Sequence, residues 1–228
     1  MMADTAASTG DTALQELLPG LYATPTAPLP FLDEVVVRSF VLLADQGPVI
    51  IYNSPGIDAA TDEITDLGHP TRLLINHYHE AMYGAPALEL PVHVHEQDSA
   101  GVQRSMNVSG VFTEREFIGA DLEVIPSGSH TPGTTFFLWR HGDHRFLFPG
   151  DAIWVDEGLW KAVILKESNR QAFLNTLAMM HELDFDVLVP WHAYRNTSAY
   201  HVVTPEQKRQ QLDQLRQRIA AGGSGPRT

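Results

Sequence analysis

Two histidines one residue apart follow a short apolar run. His77 and His79 lie in INHYHEAMYGAP (75–86), directly after RLLIN (72–76). Neutral imidazole is a ligand that zinc, iron and manganese accept, and loops that follow core strands commonly hold reactive groups on a rigid base. We therefore interpret this segment as part of a metal site.

A second H-x-H pair, His93 and His95, lies inside the apolar run VHVH (92–95). Eleven histidines in 228 residues give about half such a pair by chance, so the spacing alone proves little. Alternation along a strand places both side chains on one face. We interpret this pair as a polar strand face rather than as metal ligands.

Three more side chains of suitable chemistry follow predicted strands. His130 lies beside the Pro-Gly turn of SGSHTPGTT, Asp151 follows Gly150 in FLFPGDAIW, and His192 follows DVLV in VPWHAY. The chain has no cysteine, so a metal must bind through nitrogen and oxygen. Each residue alone could instead be a hydrogen-bonded core residue, but together they form a candidate constellation.

The elements that must position these residues are mostly short strands. The predicted strands are short runs rich in Val, Ile and Phe: VVVRSFVLLA (35–44), PVIIY (48–52), RLLIN (72–76), VHVH (92–95), LEVI (122–125), TTFFLW (134–139), RFLF (145–148) and DVLV (186–189). The segments 44–47 and 141–143 separate paired runs and predict hairpin turns.

Two helices are predicted from capping patterns. Ser168 with Gln171, and Thr204 with Gln207, have the spacing of a capping box. Each pattern is followed by an apolar helical face that we expect to cover a sheet: Phe173, Leu177 and Met180 in the first helix, and Leu212, Leu215 and Ile219 in the second.

Strands together with a few capped helices predict an α+β fold of stacked layers, with sheets inside and helices outside. The length suits one domain, which we place at 14–221. We expect 1–13 and 222–228 to be disordered.

Composition excludes several classes of function. The formal charge of −13 repels phosphate backbones and anionic lipid surfaces, so we expect a small-molecule substrate and neither a nucleic-acid nor a membrane partner. No apolar run approaches the roughly 20 residues of a membrane-spanning helix. The first 20 residues lack the pattern of a secretory signal, which predicts a cytoplasmic protein.

The order of the candidate residues resembles the metallo-β-lactamase superfamily. That superfamily carries a T-H-x-H-x-D-H motif, then a histidine in G-H-T-P-G, an aspartate in G-D-A, and a last histidine after a strand. The matching positions are His77 and His79, His130, Asp151 and His192. The resemblance implies a four-layer αββα sandwich, the metallo-β-lactamase fold, with these five residues as metal ligands at one edge.

The motif is degenerate in this chain. Ala81 stands where the resemblance expects the aspartate, and Met82 where it expects the last motif histidine. Alanine offers no donor and a thioether is a soft ligand, so the second of two metal sites is incomplete. Glu80 lies one residue before the missing aspartate and would replace it only if the loop were shifted.

The supporting residues differ as well. YNSPG (52–56) stands where an I-D-T-G aspartate braces the site in the superfamily, Asn76 replaces the motif threonine, and Trp191 replaces a glycine. We therefore expect altered support around the ligands.

The resemblance with these departures implies a single-metal hydrolase of a small ester, thioester or lactone. One divalent ion, zinc first and iron or manganese as alternatives, would be held by His77, His79 and His130. Asp151 and His192 are the catalytic candidates, because either could replace the general base that the missing aspartate provides.

Two alternatives remain open from the sequence. The first is a non-catalytic descendant that keeps the scaffold as a binding or regulatory module, which the missing ligands support. The second is a mononuclear iron oxygenase resembling persulfide dioxygenases, which bind iron through two histidines and one aspartate of this set.

Overall fold

The structure is a computed structural model and describes residues 12–166 and 168–223. The segments predicted to be disordered, 1–13 and 222–228, lie outside the described residues except for two positions at each inner boundary.

The described residues form eighteen strands, five α-helices and one 3₁₀ helix. The strands are β1 (Gln15–Leu18), β2 (Leu21–Ala23), β3 (Ala27–Leu29), β4 (Leu32–Val37), β5 (Phe40–Ala44), β6 (Gly47–Ile51), β7 (Leu73–Leu74), β8 (Val92–His95), β9 (Val108–Phe112), β10 (Glu116–Ile118), β11 (Leu122–Pro126), β12 (Thr135–His141), β13 (His144–Gly150), β14 (Ile153–Asp156), β15 (Leu159–Ala162), β16 (Val187–Pro190), β17 (His192–Tyr194) and β18 (His201–Val202). The helices are α1 (Gly56–Ala59), α2 (Thr61–Asp66), the 3₁₀ helix (Tyr78–Tyr83), α3 (Glu96–Val102), α4 (Arg170–Glu182) and α5 (Pro205–Ala220).

Two large sheets form the centre. The first has seven strands in the order β1-β2-β5-β6-β7-β8-β9, and the second has six in the order β10-β11-β12-β13-β16-β18. Smaller sheets, β17-β4-β3 and β14-β15, flank them. The pairs β6/β7, β7/β8 and β13/β16 are parallel, so the carboxyl ends of those strands lie at a common edge of each sheet.

Alternation along the strands creates the layers. In β5, Phe40 and Leu42 face the core between the two large sheets, whereas Val41 faces a second core on the outer side. In β12, Phe137 faces the central core and Leu138 the outer core on the other side. The two outer cores are covered by α1–α3 and by α4–α5, respectively, which gives the predicted αββα order.

Both predicted hairpins are confirmed. β5 pairs with β6 across 44–47, and β12 pairs with β13 across 141–144. The predicted strand at 35–44 is wrong in one respect, because it is two strands: β4 belongs to the small sheet beside β17, and β5 belongs to the seven-stranded sheet. The chain changes sheets at Arg38–Ser39.

The helix predictions are confirmed except for one cap. Thr204 caps α5 with Gln207 in a reciprocal capping box. The N-cap of α4 is Asn169 rather than the predicted Ser168, and its side chain accepts from the Ala172 N–H at 3.0 Å. The Ser168 hydroxyl instead accepts from the Leu165 N–H at 2.8 Å and donates to the His130 carbonyl at 2.7 Å.

None of the helices in the described ranges is both long enough and apolar enough to span a membrane.

Candidate metal centre

Three imidazoles from two loops converge. His77 and His79 follow β7, and His130 lies in the connection between β11 and β12. One ligand nitrogen from each lies within 4.8 Å of the others, and His79 Nδ1 is 3.2 Å from His130 Nε2. Among the described residues this is the group whose geometry could hold a metal ion.

The ring of His77 is fixed from behind. Its Nδ1 lies 3.1 Å from Asn76 Oδ1 and 3.3 Å from Glu80 Oε1, so Nδ1–H donates to these oxygens. In the neutral form of the ring Nε2 then carries the lone pair, and it faces the other way. That nitrogen is buried and makes no hydrogen bond to the described residues, so it is available as a metal ligand.

His130 is oriented in the same manner. Its Nδ1 donates to the Val163 carbonyl at 2.8 Å, which leaves the Nε2 lone pair facing His79. Burial, with the charge of His77, lowers the pKa of His130 to about 3. The ring is therefore neutral at physiological pH, the form that binds metal.

Asp151 joins this cluster to His192. Asp151 Oδ2 lies 3.5 Å from His77 Nε2 and 4.0 Å from His130 Nε2, and Oδ1 lies 2.6 Å from His192 Nδ1. Burial would raise the pKa of Asp151, but His192 and His77 hold it well below its usual range, so the side chain is a carboxylate. All five predicted residues thus meet, with His192 in contact through Asp151.

The centre attracts positive charge. Burial alone would lower the pKa of His77, but the carboxylates of Asp151 and Glu80, one beside each ring nitrogen, outweigh it and raise that pKa to about 10. Without a metal the ring is therefore protonated on both nitrogens, and a divalent cation bound at Nε2 would replace the proton there and pair with Asp151. The donor set of nitrogen and oxygen therefore fits zinc, iron or manganese.

The turn that carries Asp151 is held by residues distant in sequence. Gly150 has a φ of 61°, and a Cβ there would overlap the amide of Asn76. The Tyr52 hydroxyl accepts from Gly150 N–H at 2.8 Å and donates to the Val189 carbonyl at 2.9 Å. Tyr52 thereby fixes the ends of β13 and β16, after which Asp151 and His192 follow.

A buried aspartate that the sequence analysis missed ties the two ligand loops together. Asp98, in α3, accepts from the Tyr78 N–H at 3.0 Å and from the Thr131 hydroxyl at 2.6 Å through Oδ2. Its Oδ1 accepts from the Gly133 N–H at 2.9 Å. Nothing in the local sequence distinguishes Asp98 from a surface carboxylate of a short helix.

The segment YNSPG supplies different support from an aspartate. Asn53 Nδ2 donates to the Glu80 and Gly84 carbonyls at 3.1 and 2.9 Å, and the Asn53 carbonyl accepts from Trp191 Nε1 at 3.0 Å. Trp191 also packs edge-on against His77, with ring centroids 5.4 Å apart. The altered support that the sequence predicts is therefore a network of amide, indole and backbone hydrogen bonds around the ligand loop.

The positions of the missing ligands hold no donors. Ala81 is buried in the outer core under the seven-stranded sheet, and the Met82 side chain is 47% exposed. Glu80 does not take the place of the missing aspartate, because its carboxylate faces backbone amides and the Nδ1 side of His77.

Comparisons with known proteins establish the fold of the chain and nothing finer. No protein-family profile and no curated protein matches the chain. Solved structures do, among them the metallo-β-lactamase GOB-18 from Elizabethkingia meningoseptica, with a TM-score of 0.64 and 14% identity over 97% of this chain and 95% of that one.

Two further structures agree. A metallo-β-lactamase from Pontibacter korlensis has a TM-score of 0.65 and 16% identity over 90% of this chain and 98% of its own. A metallo-β-lactamase family protein from Thermus thermophilus has a TM-score of 0.63 and 17% identity over 90% of this chain and 81% of its own. The chain therefore has the metallo-β-lactamase fold, as the order of its histidines and aspartate predicts.

Proposed function

We propose that this protein is a hydrolase of a small ester, thioester or lactone that uses one divalent metal ion, zinc first. The observation that carries the proposal is the convergence of ligand nitrogens of His77, His79 and His130 within 4.8 Å, with the Asp151 carboxylate 3.5 Å from the buried Nε2 of His77. An ion bound there would polarise a substrate carbonyl and lower the pKa of a water molecule.

Asp151 and His192 would move the proton. The Asp151 side chain is only 13% exposed and ionised, and one of its oxygens faces the ligand nitrogens while the other holds His192 Nδ1 at 2.6 Å. Asp151 would accept a proton from the attacking water, and His192 would share the resulting charge. The Trp154 ring, 4.8 Å from His192, holds that imidazole in place.

The surroundings favour one ion and a small neutral substrate. Ala81 and Met82 give no ligands for a second ion. Trp191 and Tyr83 pack together beside His77, with ring centroids 6.2 Å apart, and make that side of the centre aromatic. The charge of −13 supports a small-molecule substrate and disfavours nucleic acid and membrane surfaces.

The test begins with protein stripped by a chelator and reloaded with Zn²⁺, Fe²⁺ or Mn²⁺. The proposal expects metal-dependent hydrolysis of at least one of a panel of p-nitrophenyl esters, acyl thioesters and lactones, and none by His130→Ala. If one ion binds without turnover on any of them, the proposal is overturned in favour of a binding or regulatory module.

A second candidate has its own support. Asp151 Oδ2 lies 3.5 and 4.0 Å from the Nε2 atoms of His77 and His130, and two histidines with one carboxylate form the ligand set typical of non-haem iron oxygenases. Oxygen uptake with a persulfide substrate, by the iron-loaded protein only, would establish this function in place of hydrolysis.

A further inference from the structure

Glu80 is a buried carboxylate with an unusual set of partners. It has no exposed surface, and Oε1 accepts from the Asn76 N–H at 2.9 Å and the His77 N–H at 3.2 Å. Oε2 accepts from the Asn53 N–H at 2.9 Å. The 3₁₀ helix that follows His77 turns the side chain back toward the residues that precede it.

The same oxygen reaches the imidazole. Glu80 Oε1 lies 3.3 Å from His77 Nδ1, on the side of the ring opposite Nε2, which faces Asp151. Burying a carboxylate is unfavourable unless its lone pairs are satisfied, and here backbone amides and one ligand imidazole satisfy them. The arrangement therefore connects the carboxylate to the metal centre through His77 and through the backbone of its loop.

Asn53 lies in the segment YNSPG (52–56), which stands where the resemblance expects a bracing aspartate. Its amide side chain cannot supply that charge, but it donates to the Glu80 carbonyl at 3.1 Å and so holds the residue that does. In this chain the buried carboxylate is therefore on the loop after β7, whereas the resemblance expects it on the loop after β6.

We propose that Glu80 is a positioning residue of the metal centre, whose carboxylate, beside Asn76 Oδ1 at 3.1 Å, keeps His77 Nδ1 protonated and strengthens Nε2 as a ligand. A carboxylate behind a ligating imidazole sets its tautomer and raises its basicity, and removing such a partner weakens metal binding by about 10–100-fold. The inference rests on the proposed function only in requiring that the centre binds an ion; it does not depend on which substrate is hydrolysed.

The experiment compares metal affinity in Glu80→Gln and in two controls, by Co²⁺ titration against a competing chelator at one pH. Asn53→Ala removes the side-chain bonds to this loop but keeps the carboxylate, and Glu123→Gln alters a buried carboxylate paired with Arg115 at 2.6 Å in the other large sheet. We expect Kd to rise about 10–100-fold in Glu80→Gln, with altered cobalt absorption bands, and less than 10-fold in both controls.

Two results would overturn the inference while leaving the proposed function intact. One is wild-type affinity in Glu80→Gln, and the other is an equal loss of affinity in Asn53→Ala, which would assign the effect to the loop alone. A wild-type chain that binds no Co²⁺ or Zn²⁺ would instead overturn the proposed function and this inference together.

A second measurement does not require the variant to fold. Imidazole ¹⁵N spectra of the zinc-loaded wild-type protein should show His77 with a proton on Nδ1 and its Nε2 bound to metal. A metal-bound Nδ1, or a proton on Nε2, would contradict the positioning role.

Discussion

The two H-x-H pairs of this chain have the same spacing and different surroundings. His77 and His79 follow β7, whereas His93 and His95 lie within β8, the next strand of the same sheet. His93 stacks on Phe112 with ring centroids 6.0 Å apart, and His95 Nδ1 accepts from the Gln97 N–H at the start of α3. In the second pair, His93 therefore packs against an aromatic ring and His95 caps a helix.

Convergence with other donors separates the pairs. His93 Nδ1, like His77 Nε2, is buried without a hydrogen-bond partner among the described residues, so an unpaired nitrogen is not itself distinctive. His77 has His79, His130 and Asp151 around it. The pKa values reflect this: burial and the charge of Arg72 lower that of His93, while carboxylates overcome burial and raise that of His77 to about 10.

The largest expected contrast is in metal content. His77→Ala removes a ligand and should abolish stoichiometric binding of zinc, a loss of at least about 100-fold in affinity, because even indirect partners of a ligand contribute about 10–100-fold. His93→Ala should retain one ion per chain. Elemental analysis after desalting measures both, and equal metal content in the two variants would erase the distinction between the pairs.

The carboxylate beside the first pair gives the next contrast. Asp151→Asn keeps the shape but not the charge or the proton acceptor, and we expect kcat to fall by about 10²–10⁴ with a smaller change in KM. The matched change Asp156→Asn, at the end of β14, should leave kcat within a factor of about two. Unchanged kcat in Asp151→Asn would remove it from the proton transfer.

The second pair should matter for stability instead. His95→Ala removes the acceptor of the Gln97 N–H, and loss of a helix N-cap costs about 1 kcal/mol, or about 2–4 °C in Tm for a domain of this size. Metal affinity should not change. Circular dichroism melting and metal titration on the same sample check both halves, and a variant that lost its metal at full stability would contradict this assignment.

The smallest expected effect is on the free energy of unfolding at mildly acidic pH. Burial lowers the pKa of His93 and of His95, so below about pH 6.5 the unfolded chain takes up protons that the folded chain does not. The contribution of these two rings to stability should therefore decrease as the pH falls from about 8 to about 5, so that wild type loses more stability over this range than His93→Gln/His95→Gln. Urea unfolding of metal-free protein across this range is the measurement, and parallel curves would show that these rings do not titrate differently on folding.

Much of the fold was predictable because its central strands are continuous apolar runs. β5, β6, β12, β13 and β16 all coincide with such runs. The strands that escaped prediction are short or half exposed: β3 contains Pro28, and β9 contains Gly110 and alternates with solvent. The β14/β15 hairpin had a usable signal, the Glu157-Gly158 turn between IWV and LWKA.

The candidate site divides in the same way. Its five side chains could be found because each follows an apolar run and sits in a recognisable local motif. The groups that hold these side chains in place could not be found, because they lie far away in sequence. The Tyr52 hydroxyl donates to the Val189 carbonyl, and His130 Nδ1 donates to the Val163 carbonyl. A backbone carbonyl leaves no trace in the amino-acid sequence, and Glu80 and Asp98 resemble surface carboxylates until the chain is folded.

One measurement tests the account most directly: X-ray absorption spectroscopy and elemental analysis of the zinc-loaded wild-type protein. We expect one ion per chain, bound by three imidazole nitrogens at about 2.0–2.1 Å with an oxygen completing the set. Two ions per chain, no ion, or a zinc shell without three imidazoles would contradict the claim that His77, His79 and His130 hold a single metal.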